Sequence, residues 1–363
     1  QNFNFYNFES SSSLSRHRWY YFKEGFSTSL INEAITSFSR DKTSLNILDP
    51  FCGCGTTPLQ SALNNHQATA IEVNPFLAFT AKAKCIESDW NKSEFTELLN
   101  KIIKNSKDGK KSHLESFSTF TKRDDLKKWL FNIDVIRRFS AVMALIKELS
   151  PEKYASNLKL SAIIAAFECS NARRDGKGLR YKKNWEEQNF SSEDFIKKFK
   201  YRSSLMLQDV FEEKIDSSNK PSIIHGDSRK IIKQLNEKSY DLIITSPPYL
   251  NSFDYTDIYR AELFLGEYVK SNEELRDLRK NTLRSHVQVK WDKPVDYAPE
   301  MLISINKELS DKSDQLWNKN IPYMVRAYFE DMREIFKSAY EKLKPGGQVW
   351  LVVSTSAYGG VHI

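Results

Sequence analysis

The tetrapeptide Ser246-Pro247-Pro248-Tyr249 has the residue types needed to hold and activate an amino group on an aromatic base. Such a nitrogen is a poor nucleophile because its lone pair is conjugated into the ring. The Ser246 hydroxyl and the Pro247 carbonyl could accept its two hydrogens and favour a pyramidal nitrogen, while Tyr249 stacks on the base. The prolines stiffen the segment and donate no backbone hydrogen bond. Positioning and electrostatics would then carry direct attack on a sulfonium methyl group. A proline-rich loop after a strand is the alternative.

A glycine-rich turn earlier in the chain predicts a ligand that approaches the main chain closely. The turn is Asp49-Pro50-Phe51-Cys52-Gly53-Cys54-Gly55-Thr56-Thr57, after an apolar run at 45–48. Gly53 and Gly55 lack a Cβ, so a ligand can come near the backbone. The following helix, expected from about Pro58, supplies free amide groups at its N-terminus. An ordinary tight turn between a strand and a helix remains the alternative.

Two acids follow later predicted strands at positions suited to a nucleoside cofactor. Glu72 ends the run 68–71 and could accept hydrogen bonds from both ribose hydroxyls. Asp227 follows 222–225 and could accept the adenine amino group. Their neighbours Asn74 and Ser228 are included in the predicted cofactor site. Helix capping by these acids is the alternative.

The elements that must position these residues alternate as in an α/β sheet. Strands are expected at 45–48, 68–71, 222–225, 240–245 and 348–354, with Lys344-Pro345-Gly346-Gly347 as a turn. Between about 90 and 219 strand signals vanish, and helices are expected at 93–105, 124–149, 157–171 and 191–214. The predicted fold is a Rossmann-like α/β sheet with a large helical insertion. The predicted parts are an arm at 1–15, catalytic segments at 16–89 and 220–363, and the insertion at 90–219.

Taken together, these motifs resemble the amino-methyltransferase family of DNA methyltransferases, which modify cytosine N4 or adenine N6. The turn at 49–57 is similar to the family's first cofactor motif, and 246–249 to its catalytic tetrapeptide in the serine form. The resemblance implies S-adenosylmethionine as cofactor, double-stranded DNA as partner, a base flipped out of the duplex and, commonly, a cognate restriction endonuclease. It also gives 22–27 a role over the methionine end of the cofactor, with Phe22, Lys23, Gly25 and Phe26 as binding residues.

Serine at 246 favours cytosine N4 as the target, and three alternatives stay open. An N6-adenine DNA methyltransferase shares every element. An RNA guanine-N2 methyltransferase has a similar motif order, although no separate N-terminal RNA-binding domain is evident. A nucleic-acid-binding module that keeps the fold without catalysis would bind the cofactor and show no turnover. Carbon-5 cytosine enzymes are set aside because the sequence has no Pro-Cys pair for nucleophilic attack.

A basic loop inside the helical block is the predicted reader of the target. Its cations could hold phosphates or read guanine, and they alternate with aromatic residues. The predicted nucleic-acid-binding residues are Arg173, Arg174, Lys177, Arg180, Lys182 and Lys183. A solvated surface loop is the alternative. The segment 251–260 should rim the catalytic pocket, where Asp254 or Tyr255 could contact the base, with helix capping as the alternative.

Bulk composition is consistent with this reading. The 54 basic and 47 acidic residues give a net charge of +7, which suits a polyanionic partner without requiring one. No metal site is expected from the spacing of the four cysteines, and a reducing cytoplasm is the expected compartment. No membrane span is evident. Two features depart from the family pattern: the insertion lies between the two cofactor acids, and the chain stops just after the fifth strand, so we expect truncation or another way of completing the sheet.

Overall fold

The computed structural model describes residues 9–39, 44–175, 178–291 and 295–363. The helices are α1 (Thr28–Phe38), α2 (Thr56–Leu63), α3 (Pro75–Lys84), α4 (Lys92–Asn105), α5 (Ile133–Leu149), α6 (Glu152–Glu168), α7 (Ser192–Glu212), α8 (Ser228–Ile231), α9 (Tyr255–Ile258), α10 (Arg260–Leu265), α11 (Asn272–Asn281), α12 (Glu300–Asp311) and α13 (Ile321–Lys342). The strands are β1 (Asn46–Asp49), β2 (Gln67–Glu72), β3 (Ala172–Arg174), β4 (Leu179–Tyr181), β5 (Ser222–His225), β6 (Tyr240–Thr245), β7 (Leu343–Leu351), β8 (Ala357–Tyr358) and β9 (Val361–His362).

Five parallel strands form the central sheet in the order β5-β2-β1-β6-β7. The predicted Rossmann-like sheet is therefore confirmed. The chain moves from β1 outward through β2 to β5, and then returns to the other side of β1 with β6. This reversal next to β1 creates a crevice at the carboxyl ends of β1 and β6, which is where doubly wound folds bind ligands.

The strands are buried on both faces because successive apolar side chains point to opposite sides. Ile47, Leu242 and Ile244 face one cluster with α1. Leu48 and Ile243 face the other cluster, which includes the inner face of α13. This alternation holds the carboxyl ends of β1 and β6 side by side, so the turns that follow them meet at one edge.

Helices α4, α5, α6 and α7 lie in the stretch expected to be an insertion, and their apolar faces form the largest hydrophobic cluster of the described residues. This cluster continues into the catalytic part through Trp19, Phe76 of α3 and Leu263 of α10, all fully buried. These four helices therefore pack directly on the helices beside the crevice. Within the described residues, no helix combines the length and the apolar character that a membrane crossing needs.

Three local expectations differ from the structure. The helix expected at 124–149 begins only at Ile133, because Phe131 pairs its backbone with Phe120 and Lys122 in an extended arrangement. The loop expected near 172–189 contains an antiparallel hairpin of β3 and β4. The turn at 344–347 loops out within β7, since Tyr240 pairs with Leu343 whereas Leu242 pairs with Gln348.

Candidate active site

The carboxyl ends of β1, β2, β5 and β6 surround one cavity. The glycine-rich turn, both cofactor acids and the tetrapeptide all contribute to its wall. The lining residues are Phe22, Glu24, Pro50, Phe51, Gly53, Glu72, Val73, Asn74, Leu77, Asp227, Ser228, Ser246, Pro247, Pro248, Tyr249, Tyr255, Thr256, Asn281, Thr282, Leu283, Ser285 and His286. Motifs separated by up to two hundred residues thus converge on one site.

Asp49 supports the cavity from beneath. Its buried carboxylate accepts hydrogen bonds from the Phe51 amide at 3.0 Å and from the Thr245 hydroxyl at 2.6 Å. Burial raises the pKa of Asp49 to about 6, against the opposing effect of these hydrogen bonds. Asp49 therefore ties the turn after β1 to the end of β6, directly before the tetrapeptide.

Several other residues predicted to bind the cofactor also lie behind the cavity wall. Gly55 packs on Ala81, and Thr57 donates to the Ile244 carbonyl at 3.4 Å. Thr56 begins α2 and is buried. These residues, like Asp49, hold the turn in place, and the sequence could not separate such supports from direct contacts.

Gly53 lines the cavity with its backbone. Its φ of +52° lies in the left-handed region, and a Cβ placed there would come within 2.6 Å of Phe22 Cε1. The Phe22 ring stacks on Tyr259 with the ring centroids 5.8 Å apart. Glycine at 53 is therefore required both by the backbone conformation and by the approach of Phe22.

Glu72 presents a carboxylate at the cavity wall. Its two oxygens accept from the amides of Gly53 at 2.9 Å and Asn74 at 2.8 Å. Burial raises the pKa of Glu72 to about 7, because these backbone donors offset only part of the desolvation. Asn74 lines the cavity and caps α3 through the amide of Phe76. Each oxygen keeps lone-pair capacity for a further donor.

The Asp227 carboxylate has more hydrogen-bond and ion-pair partners than the sequence predicts. It caps α8 through the Arg229 amide, and the Arg229 guanidinium binds its carboxylate at 2.9 to 3.1 Å. Arg229 also pairs with the buried Asp331 at 3.0 Å. The capping alternative is thus realised, together with an ion pair, although Asp227 still lines the cavity. Ser228 donates to the Pro50 carbonyl and joins this wall to the first turn.

The tetrapeptide has the geometry of a hydrogen-bond acceptor site. Ser246 Oγ lies 3.3 Å from the Val352 carbonyl, to which it can only donate, and 3.2 Å from Tyr249 Oη. With its hydrogen donated to Val352, Ser246 Oγ accepts from Tyr249 Oη and keeps one further lone pair for an incoming hydrogen. The Pro248 carbonyl accepts from Tyr328 at 2.9 Å, while no described residue donates to the Pro247 carbonyl. Two acceptors therefore remain at the cavity wall, on adjacent residues.

The segment at 22–27 contributes unevenly to the cavity. Phe22 lines it, and so does Glu24, which the sequence-based list of binding residues omits. Glu24 accepts a hydrogen bond from Tyr259 at 2.6 Å. Lys23 lies in a neighbouring cleft. Gly25 closes a turn on Phe22, and Phe26 packs in the core beside α1, so neither contacts the cavity.

The segment at 281–286 forms a wall that the sequence did not reveal. Thr282 donates to the Arg279 carbonyl at 2.7 Å, so its hydroxyl accepts from His286 Nε2 at 3.0 Å. Burial lowers the pKa of His286. No periodicity or motif marks this stretch, because its position depends on ion pairs such as Arg284 with Asp331 on α13.

Of the residues proposed to rim the pocket, Tyr255 lines it, whereas Asp254 acts mainly as a cap. Asp254 accepts from the Thr256 amide at 2.9 Å and forms an ion pair with Arg279. The capping alternative therefore describes Asp254.

The strands of the β3–β4 hairpin carry three of the six predicted nucleic-acid-binding residues, Arg173, Arg174 and Arg180. Arg173 and Arg180 pair across the two strands, both are exposed, and their side chains share one face. Arg180 also forms an ion pair with Asp175. Lys183 is exposed, whereas Lys182 donates to the Ser170 carbonyl at 2.6 Å. Lys177 lies outside the described residues.

Arg174, unlike Arg173, directs its guanidinium toward a buried carboxylate. It forms an ion pair with Glu262, which is fully buried, and donates to Tyr20 Oη at 2.7 Å. Its guanidinium also lies 4.3 Å from the centroid of Phe167 and 5.0 Å from that of Tyr259. A buried carboxylate needs such a partner, so Arg174 anchors the hairpin to α10.

Comparison with known proteins gives relatives along nearly the whole chain. The Type II methyltransferase M.AvaI, from Nostoc sp. and from Anabaena variabilis, is 26% identical over 400 residues, covering 98% of this chain and 77% of the relative. The Type II methyltransferase M.BsoBI of Geobacillus stearothermophilus is 25% identical over 403 residues, covering 97% and 76%. The similarity supports the methyltransferase family. It also confirms the predicted cofactor, S-adenosylmethionine. No family model and no solved structure matches the chain.

Proposed function

We propose that this protein is a site-specific DNA methyltransferase that transfers a methyl group from S-adenosylmethionine to the exocyclic N4 of cytosine. The carrying observation is the convergence of the two acceptors at Ser246 and Pro247 with Glu72 and Gly53 on one cavity wall. The similarity to Type II methyltransferases supports a role in restriction and modification, with a cognate endonuclease as the partner system.

The described residues fit the cofactor. Gly53 leaves room at the main chain where a Cβ would collide with Phe22, and Glu72 offers carboxylate acceptors for ribose hydroxyls. Phe51 and Leu77 add apolar surface for the adenine. Because Arg229 occupies much of the Asp227 carboxylate, we assign Asp227 a smaller part in adenine binding than the sequence alone predicts. Bound here, the cofactor supplies an electrophilic methyl group on a sulfonium sulfur.

In the proposed reaction the chain positions the amine and creates no covalent intermediate. Ser246 Oγ and the Pro247 carbonyl accept the two amino hydrogens, which weakens conjugation of the nitrogen lone pair with the ring. The hydrogen bond to the Val352 carbonyl holds Ser246 in the accepting orientation. Tyr249 and Tyr255 line the same cavity and supply ring faces for the base. Preorganised acceptors of this kind stabilise the positive charge that develops on the nitrogen as the nitrogen–carbon bond forms and the carbon–sulfur bond breaks. The methylated nitrogen then loses one of its two hydrogens as a proton to solvent, which restores a neutral amine.

The exposed arginines of the hairpin support duplex DNA as the substrate. Arg173 and Arg180 stand side by side on one face, a placement that favours binding of an anion. A duplex base is not accessible within its stack, so the target must be flipped to reach Ser246. Adenine N6 presents the same amino chemistry to the two acceptors. The preference for cytosine rests on the serine at position 246.

The test is methyl transfer from radiolabelled S-adenosylmethionine to unmethylated plasmid DNA and, in parallel, to total RNA. We expect label in the plasmid that saturates at a fixed number of methyl groups per molecule, since a site-specific enzyme has a finite set of sites. Label confined to RNA would support the guanine-N2 alternative. Cofactor binding without label in either nucleic acid would support a silent binding module and contradict the proposal.

A further inference from the structure

A basic cleft adjoins the cavity that contains Ser246. It is lined by Tyr21, Lys23, Glu24, Phe167, Glu168, Ala172, Arg173, Arg174, Lys182, Lys198 and Tyr259. Glu24 also lines the catalytic cavity, so the two openings adjoin at this residue.

Within the described residues, cations outnumber acids on the wall of this cleft, and the acids are already engaged. Glu168 forms an ion pair with Arg202 and lies 3.9 Å from Lys198, while Glu24 accepts from Tyr259. Of the cations, Arg174 is neutralised by Glu262. Lys23 and Arg173 are exposed, and Lys198 keeps about a third of its side-chain surface exposed. The cleft therefore keeps an excess of positive charge.

The position of the cleft identifies the anion that it fits. When a nucleotide is extruded and its base enters the catalytic cavity, its two phosphates must stay at the rim, within one nucleotide's length of the base. The cleft adjoins that rim at Glu24, and its wall includes the segment before α1, the end of α6, the β3–β4 hairpin and α7. Phosphates bound by lysine and arginine fix register without reading sequence.

We propose that Lys23 and Lys198, with Arg173, bind the phosphates that flank the extruded nucleotide. The proposal rests on the proposed function, because it requires a DNA strand whose base occupies the catalytic cavity. It adds a phosphate site formed by two lysines that lie outside the predicted basic loop. The role assigned to Lys23 also changes, from cofactor binding to DNA binding.

The experiment compares Lys23→Gln/Lys198→Gln with the matched control Lys197→Gln/Lys200→Gln. The control removes the same charge from exposed lysines of α7 that do not line the cleft. The binding probe is a short duplex containing one methylation site, mapped by sequencing plasmid DNA that the parent has methylated. Affinity is measured across a range of KCl concentrations. Each lost phosphate contact lowers the salt slope of log K by about 0.9, so we expect a fall of about 1.8 for the cleft variant. The salt slope of the control variant should fall by much less.

A second measurement locates the contact on the DNA. Neutral methylphosphonate linkages replace the two phosphates that flank the target nucleotide. We expect the parent to lose affinity for this duplex, and the cleft variant to lose much less, since it keeps only Arg173 of the three proposed phosphate contacts. Equal losses in parent and cleft variant, or equal salt slopes in cleft and control variants, would overturn the proposal. Failure of the proposed function is a separate result, because the parent would then methylate no plasmid DNA.

Discussion

Cofactor binding should depend on pH through Glu72. Burial gives this carboxyl a pKa of about 7 in the free protein, and only the ionised form can accept from a ribose hydroxyl at both oxygens, because protonation turns one oxygen into a donor. Cofactor binding therefore favours loss of the proton wherever Glu72 is protonated beforehand. For a pKa near 7, the apparent affinity should fall about tenfold between pH 8 and pH 6, or about 1.4 kcal/mol.

Calorimetric titration with S-adenosylhomocysteine at several pH values measures this dependence. Glu72→Gln should bind more weakly at every pH, by about 10- to 100-fold, because one or two hydrogen bonds to a charged acceptor are lost. Its amide must also turn an N–H group toward the donors at Gly53 or Asn74. The pH dependence should flatten in this variant. The control Glu33→Gln, at an exposed position on α1, should keep the parent profile. A parent affinity that stays constant from pH 8 to pH 6 would refute the reasoning.

Three further predictions concern the catalytic acceptor and the buried ion pairs. Ser246→Ala should lower kcat about 10²- to 10³-fold, as expected for one lost transition-state hydrogen bond, and leave S-adenosylhomocysteine affinity within about twofold; equal turnover in the variant and the parent would contradict the mechanism. Asp331→Ala leaves Arg229 and Arg284 without their shared buried carboxylate, so the free energy of unfolding should fall by about 3–5 kcal/mol. Urea denaturation measures this loss, and an unchanged midpoint would contradict it. Arg174→Met should lower the free energy of unfolding by a similar amount through unpaired Glu262, whereas Arg173→Gln should weaken DNA binding at unchanged stability.

The sheet could be predicted because each strand carries its own signal. The runs at 45–48, 222–225 and 240–245 are short and apolar, and each ends in a turn with a recognisable motif. Parallel strands place those motifs at the same edge, so the convergence of Gly53, Glu72 and Ser246 follows from the fold class.

The remaining features of the site could not be predicted, because they depend on contacts between distant parts of the chain. Arg174 has the same sequence context as Arg173, yet a buried Glu262 on another helix draws it inward. The 281–286 segment becomes a cavity wall because Asp331 holds Arg284 from α13. Asp49 and Thr57 belong to the cofactor motif, but only the structure separates residues that support the turn from residues that line the cavity.

The central claim is that the acceptors at Ser246 and Pro247 direct methylation to an exocyclic amine of cytosine. The direct test is digestion of the methylated plasmid to nucleosides, followed by mass spectrometry against authentic standards. We predict N4-methyldeoxycytidine in the digest. N6-methyldeoxyadenosine would keep the acceptor chemistry and correct the base, whereas 5-methyldeoxycytidine would contradict the account, because carbon-5 transfer does not use an amine.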